Sequence, residues 1–141
     1  MGLINNSMDI PSISVIIPAF NEATYISETL DRLAVAKQHL RTMVDTEVQV
    51  IVVDNASTDC TAELAQSTGA TVVLEAEHNI ARVRNAGAAI ASHDVLIFLD
   101  ADTLVPMELL TRIAHVMTDP MCVGGAVDSL HHSNSLIVRA Y

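Results

Sequence analysis

The chain predicts an α/β domain of three layers, with a mostly parallel sheet between helices, and three observations carry that expectation. Short Val- and Ile-rich runs alternate with helical patterns, as crossover-connected parallel strands require. The runs lack polar alternation, which is how strands buried on both faces read. Polar loop residues follow immediately after several of these runs, at the strand ends where open α/β sheets bind ligands. Half of the 141 residues are hydrophobic, enough for one continuous core, so a single domain over 1–141 is expected. Aromatic residues make up 3% and Trp is absent, so that core is built from Ile, Val, Leu, Ala and Met.

The first strand is the run from Ile13 to Ile17, followed by Pro18. Asn21 is a favourable N-cap type and opens the first helix, with Glu22 in its first turn. Ile26, Leu30, Leu33 and Leu40 then recur at helical spacing, and the helix is expected to run to about His39. The second strand spans Val48 to Val53. The second helix starts near Asp59, carries Ala62, Leu64 and Ala65, and stops at Gly69, a C-terminal breaker. Thr71 to Leu74 is the third strand. Ile80 to Ala91 is the third helix, and its alanines permit close approach to the sheet. Val95 to Leu99 is the fourth strand. Pro106, favoured in a first helical turn, opens a fourth helix that ends before Asp119-Pro120. Cys122 to Val127 follows a less regular pattern as a fifth strand. Ser135 to Tyr141 reads as a further element under way, so the chain is expected to be part of a longer protein.

The formal charge of -10, with only seven Lys and Arg spread over the chain, argues against nucleic acid as a partner. It also means that an anionic ligand needs local cations or a metal to reverse the field around it. Cys60 and Cys122 form neither a disulfide framework nor a zinc spacing and are expected to be buried or half-buried thiols. The first apolar run is too short, and lacks the preceding positive charge, for a signal peptide. No stretch reaches spanning length, and a cytoplasmic location is expected.

Three of the loops are acidic. Asn21 and Glu22 follow the first strand, Asp54 to Asp59 the second, and Asp100-Ala101-Asp102 the fourth. Asn21, Asn55, Ser57, Thr58 and Asp59 are accounted for equally by turn formation and capping. Asp54 and Asp100 are less so, because acidic loops converging on one sheet edge destabilise each other unless something positive binds there. Two carboxylates one residue apart suit a hard divalent cation that shares its coordination with phosphate and water. The ligand expected there is a phosphate ester or diphosphate, with Asp102 on the metal and Asp100 accepting from ribose hydroxyls. Asp54 suits the N3 donor of uracil, and equally the N–H edge of guanine. Glu22 either supports the nucleoside or is a favourable first-turn charge. Arg82 and Arg84 stand at the start of the third helix, an anion-binding position. The alternative is a solvated face with one Arg pairing Glu75 or Glu77, and Arg84, beside Asn85 and Gly87, is the functional candidate. His131 and His132 are read as surface loop, since neighbours on an extended chain point apart.

With these residues in place, the chain resembles the nucleotide-sugar-binding half of family 2 glycosyltransferases, the inverting group with the GT-A (nucleotide-diphospho-sugar transferase, Rossmann-like) fold. The matching pieces are Ser14-Val-Ile-Ile-Pro-Ala-Phe-Asn-Glu22, Val50-Ile-Val-Val-Asp-Asn-Ala-Ser-Thr-Asp59, Ala81-Arg-Val-Arg-Asn-Ala-Gly87 and Phe98-Leu-Asp-Ala-Asp-Thr103. The resemblance implies a donor, a UDP- or GDP-sugar, held by Pro18, Ala19, Phe20, Glu22, Asp54, Arg84, Asp100 and Ala101, with Asp102 on Mg²⁺ or Mn²⁺. It further implies inverting transfer to an acceptor hydroxyl, whose nature the residues do not reveal. The base that deprotonates the acceptor usually comes from the part that follows, and no motif marks Asp128, the last acid, as that base. The C-terminal acceptor-binding part is therefore expected to be lacking.

Two rivals are weighed against this reading. A nucleotide-binding module without turnover fits the same residues. The string Leu96-Ile-Phe-Leu-Asp-Ala-Asp-Thr103 also resembles the nucleophile motif of haloacid dehalogenase-like phosphatases. That fold places the motif on its first strand and a lysine after it, whereas here it lies on the fourth and the single lysine, Lys37, precedes it.

Overall fold

β-Branched side chains fit a pleated surface that is covered on both sides, and the first run of them forms β1 (Ile13–Ala19), at the heart of a four-stranded sheet. The computed structural model describes residues 10–128 and 137–140. In chain order β1 is followed by α1 (Ile26–Met43), β2 (Val48–Asp54), α2 (Thr61–Ser67), β3 (Thr71–Leu74), α3 (Ile80–Ile90), β4 (Val95–Phe98), α4 (Leu109–Val116), β5 (Gly125–Asp128) and β6 (Ile137–Ala140). The sheet order is β3-β2-β1-β4 and every pairing within it is parallel.

The period of two along β1 divides the core. Ile13, Val15, Ile17 and Ala19 face one way, against Ile26, Leu30, Leu33, Ala36 and Leu40 of α1, Ala65 of α2 and Leu109, Leu110 and Ile113 of α4. Ile16 faces the other way and packs with Ile51, Val53 and Val83 of α3. Helices therefore cover both faces, giving the three layers expected. α3 comes close because Gly87 has no Cβ. A methyl there would lie 2.9 Å from the Val53 Cγ2 atom and nearer still to that of Ile16.

Register aligns the functional ends. β1 pairs with β2 from Ile13↔Val48 to Ala19↔Asp54, so Asp54 emerges beside Ala19. The Leu99 amide donates to the Ile16 carbonyl at 3.0 Å, which carries the β4 ladder to the threshold of Asp100.

Four expectations need correction. Asn21 does not cap α1, which starts at Ile26 after a turn in which the Tyr25 and Ile26 amides donate to the Glu22 carbonyl. Asn21 is instead left-handed (φ 53°), and its side chain accepts from the Thr58 amide at 2.8 Å, a long-range use that local propensity does not contain. α1 also runs on to Met43, because Leu40 is fully buried and keeps the last turns packed. The fifth run does not extend the parallel sheet. β5 pairs antiparallel with β6 in a separate two-stranded sheet, since an apolar run specifies a strand but not its partner. Cys60 is exposed, because it lies in the loop that leads into α2 at the open edge of the sheet, while Cys122 is half-buried. His131 and His132 lie outside the described residues.

Candidate functional site

The Asp100-Ala101-Asp102 turn owes its shape to what lies between the acids. Leu99 and Ala101 are buried whereas Asp100 and Asp102 are exposed, so the turn is anchored between the two acids and both carboxylates lie outside the core. The Thr103 amide donates to the Asp100 carbonyl at 3.1 Å and closes the turn. Beneath it, the buried Thr29 hydroxyl of α1 donates to the Ala101 carbonyl at 2.7 Å.

Arg84 reaches the same turn from the opposite layer. Its guanidinium stands 3.7 Å from the Asp100 carboxylate and 6.0 Å from the centre of the Phe98 ring. Its Nε is buried and finds no acceptor among the described residues. Arg82 turns away, to Glu77 at 3.2 Å and Glu75 at 3.9 Å. The two arginines thus divide, Arg82 onto the acidic pair Glu75 and Glu77 and Arg84 toward Asp100.

At the end of β2, Asp54 is only 6% exposed. One carboxylate oxygen accepts from the Ser57 amide at 3.3 Å, while the other is buried without a partner among the described residues. A buried acceptor left free is costly, and a ligand N–H is the group that would satisfy it. Phe20 is half exposed and meets His78 edge to face, with ring centres 4.8 Å apart. Asn55 anchors this wall. Its amide donates to the carbonyls of Glu75 and Glu77 at 2.7 and 2.8 Å, which turns its oxygen toward His78 Nδ1 at 3.3 Å. His78 Nδ1 must then be the donor. The backbone amide of Asn55 also donates to the Ala19 carbonyl at 2.8 Å, while Pro18 lies half-buried one residue earlier on β1.

The first two loops are stitched together. The amides of Asn21, Glu22 and Ala23 donate to Ser57 Oγ, Thr61 Oγ1 and an Asp59 carboxylate oxygen at 2.9, 2.8 and 3.1 Å. Asp59 also accepts from the Thr61 hydroxyl, and this bond is the main reason its carboxyl is held below the usual range. Ala56, inside the second loop, is left-handed (φ 56°), a conformation that alanine disfavours and that the surrounding bonds must enforce.

The electrostatics of this rim are unbalanced. The Glu22 carboxyl is pushed above its ordinary value, first by burial and then by the charges of Asp102 and Asp59. Glu22 and Asp102 therefore sense each other although they come from different loops. Because the folded-state value is raised, the ionised form of Glu22 disfavours folding at pH above its titration, and the penalty vanishes below the ordinary carboxylate range. Glu22→Gln is thus expected to raise the melting temperature of the cation-free protein at neutral pH, with the gain shrinking as the pH falls through that titration. Melting curves across pH 4 to 8 check this, and a gain that does not depend on pH would contradict it.

Among the described residues no group of three or more His, Cys, Asp or Glu side chains converges as a self-sufficient metal site. The donor set is instead one or two hard carboxylates at an electronegative rim. That fits Mg²⁺ or Mn²⁺ when an incoming phosphate supplies the remaining oxygens. His78 and Thr29 carry no role in the sequence reading, and Asn55 enters it only among the turn-forming and capping residues. Thr29 does leave a trace, since it is polar yet stands on the buried stripe of α1.

Residues 14–140 match the family model described as Glycosyl transferase family 2. Glycosyltransferase AglE of Haloferax volcanii is 31% identical over 140 residues, covering 94% of this chain and 44% of that protein. Among solved structures, mannosyltransferase PcManGT from Pyrobaculum calidifontis, in complex with GDP-Man and Mn²⁺, superposes with a TM-score of 0.68 at 28% identity, over 82% of this chain and 34% of that one. Glucosyl-3-phosphoglycerate synthase from Mycobacterium tuberculosis, in complex with Mn²⁺, UDP and glucosyl-3-phosphoglycerate, gives a TM-score of 0.63 at 25% identity, over 79% of this chain and 41% of that one. The chain spans less than half the length of the curated relatives it matches.

Proposed function

Because the chain belongs to glycosyl transferase family 2, we propose that it is the donor-binding part of an inverting, metal-dependent glycosyltransferase that uses a UDP- or GDP-sugar. The observation that carries this reading is the pair of exposed carboxylates flanking buried Ala101, set at the same sheet edge as the free oxygen of Asp54, with Arg84 against the first of the pair, Asp100.

Each residue then has a task. The Asp54 oxygen accepts an N–H of the base, uracil N3 or the guanine edge, while Phe20 and His78 wall the base in, with Pro18 and Ala19 forming the floor of the strand end. Asp100, held by Arg84, accepts from a ribose hydroxyl, and Asp102 with the Ala101 turn presents a carboxylate where the diphosphate lies. Asp102 would hold Mg²⁺ or Mn²⁺, which would supply charge stabilisation for the departing diphosphate. The acceptor oxygen forms its bond to the anomeric carbon on the face opposite the diphosphate as the sugar–phosphate bond breaks, and the hydroxyl proton passes to a base. Inversion follows from that single displacement. The base is assigned to no residue here, and the part of the protein that binds the acceptor is read as lying beyond residues 1–141.

Calorimetric titration of the protein with UDP and GDP, with Mn²⁺ and in chelator, tests the donor half of this reading. One of the two nucleotides is expected to bind, and removing the cation is expected to weaken it by at least roughly tenfold, about 1.4 kcal/mol. Equal affinity in chelator would overturn the metal role, and no binding of either nucleotide would overturn the donor assignment.

A further inference from the structure

A threonine on the buried stripe of a helix needs a reason, because its hydroxyl must find a partner there. Thr29 is fully buried in α1, and its partner lies 72 residues away, the carbonyl of Ala101 at 2.7 Å. Ala101 itself is buried and lies between the two outward acids, past the end of β4, where the sheet ladder stops supplying partners. The hydroxyl therefore holds the Ala101–Asp102 peptide, the one that leads directly into the second acid. It also ties that turn to α1, and the turn preceding α1 carries Glu22, the acid that senses Asp102.

We propose that Thr29 is a positioning residue for cation binding: its hydroxyl fixes the Ala101 peptide, and so the direction of Asp102 toward the metal and diphosphate. The inference rests on the donor-site reading above. Outer partners that orient a metal ligand typically govern metal affinity by roughly ten- to a hundredfold, so the effect belongs in the cation's binding constant rather than in stability alone.

The test uses the longest natural form of the protein and Mn²⁺ as the probe. Free Mn²⁺ is followed by electron paramagnetic resonance, in the presence of whichever of UDP or GDP binds. Thr29→Val is expected to weaken Mn²⁺ by roughly tenfold while leaving the nucleotide affinity measured in chelator unchanged. Thr29→Ser keeps the hydroxyl and is expected to restore Mn²⁺ affinity. Should the valine variant not fold, Thr29→Ala takes its place in the same comparison. Wild-type Mn²⁺ affinity in Thr29→Val or Thr29→Ala overturns the proposal, as does an equal loss of metal-free nucleotide affinity, which would mark general loosening. Asp102→Asn in the same assay separates the layers. If it abolishes the Mn²⁺ response while Thr29→Val does not, only the role of Thr29 fails. If it has no effect, the metal role of Asp102 fails and the proposal fails with it.

Discussion

Gly87→Ala is expected to lower the melting temperature by roughly 8 °C, although alanine is the better helix former. In an exposed helix interior the exchange would stabilise by about 1 kcal/mol through propensity. Here the new methyl would lie 2.9 Å from Val53 Cγ2 and closer still to Ile16 Cγ2. Both obstacles are β-branched methyls on strands at the centre of the sheet, stiff at χ1 and unable to swing aside. Overpacking of this kind costs about 3 kcal/mol at the upper end of its usual range, so about 2 kcal/mol remains after the propensity gain, at about 4 °C per kcal/mol for a chain of this size. Gly124, where an added Cβ meets nothing within 4 Å, serves as the control that should barely shift. A melting temperature unchanged or raised in Gly87→Ala, read by calorimetry, would show that α3 can lift off without cost. The consequence reaches the site as well. Arg84 lies one helical turn before Gly87 on α3, so a helix pushed outward also draws the guanidinium away from Asp100.

Much of this arrangement was written locally. The β-branched runs at Ile13, Val48 and Val95 became strands because such residues suit a doubly covered sheet, and their parallel pairing followed from the helices between them. The acids after β2 and β4 reached one edge because parallel strands all end there with the same sense. What stayed illegible depends on partners distant in sequence. Asn21 looked like a cap because its type favours caps, yet its oxygen is used by Thr58, 37 residues on. Cys122 to Val127 showed strand character without showing that its partner is β6. The left-handed φ of Ala56 had no local sign, since the residue type gives no warning of it. Asn55 was a generic loop residue until its amide was seen to bridge two carbonyls of the β3–α3 loop. The candidate acids and Arg84 could be named from type and place, whereas the distant bonds that shape their loops could not.

Asp102→Asn is expected to produce the largest functional change in the molecule, a fall in sugar transfer of at least roughly hundredfold in the longest natural form, since Lewis-acid stabilisation of a leaving group is worth several kcal/mol. The exchange keeps the size but turns one acceptor oxygen into a donor and removes the charge that the proposed metal role requires. It also removes one of the two charges that push the Glu22 carboxyl upward, so Glu22 should move back toward its ordinary range and the cation-free variant should be no less stable than the parent at neutral pH. Those opposite signs make the test specific. A defect of folding would lower stability and activity together, whereas loss of a metal ligand lowers activity while stability holds or rises. Nucleotide binding in chelator should persist, because Asp54, Phe20 and Arg84 are untouched, and the extra affinity conferred by Mn²⁺ should be lost. Full Mn²⁺-dependent transfer by Asp102→Asn would remove this carboxylate from the metal site and leave the raised Glu22 as a purely structural consequence of crowded acids.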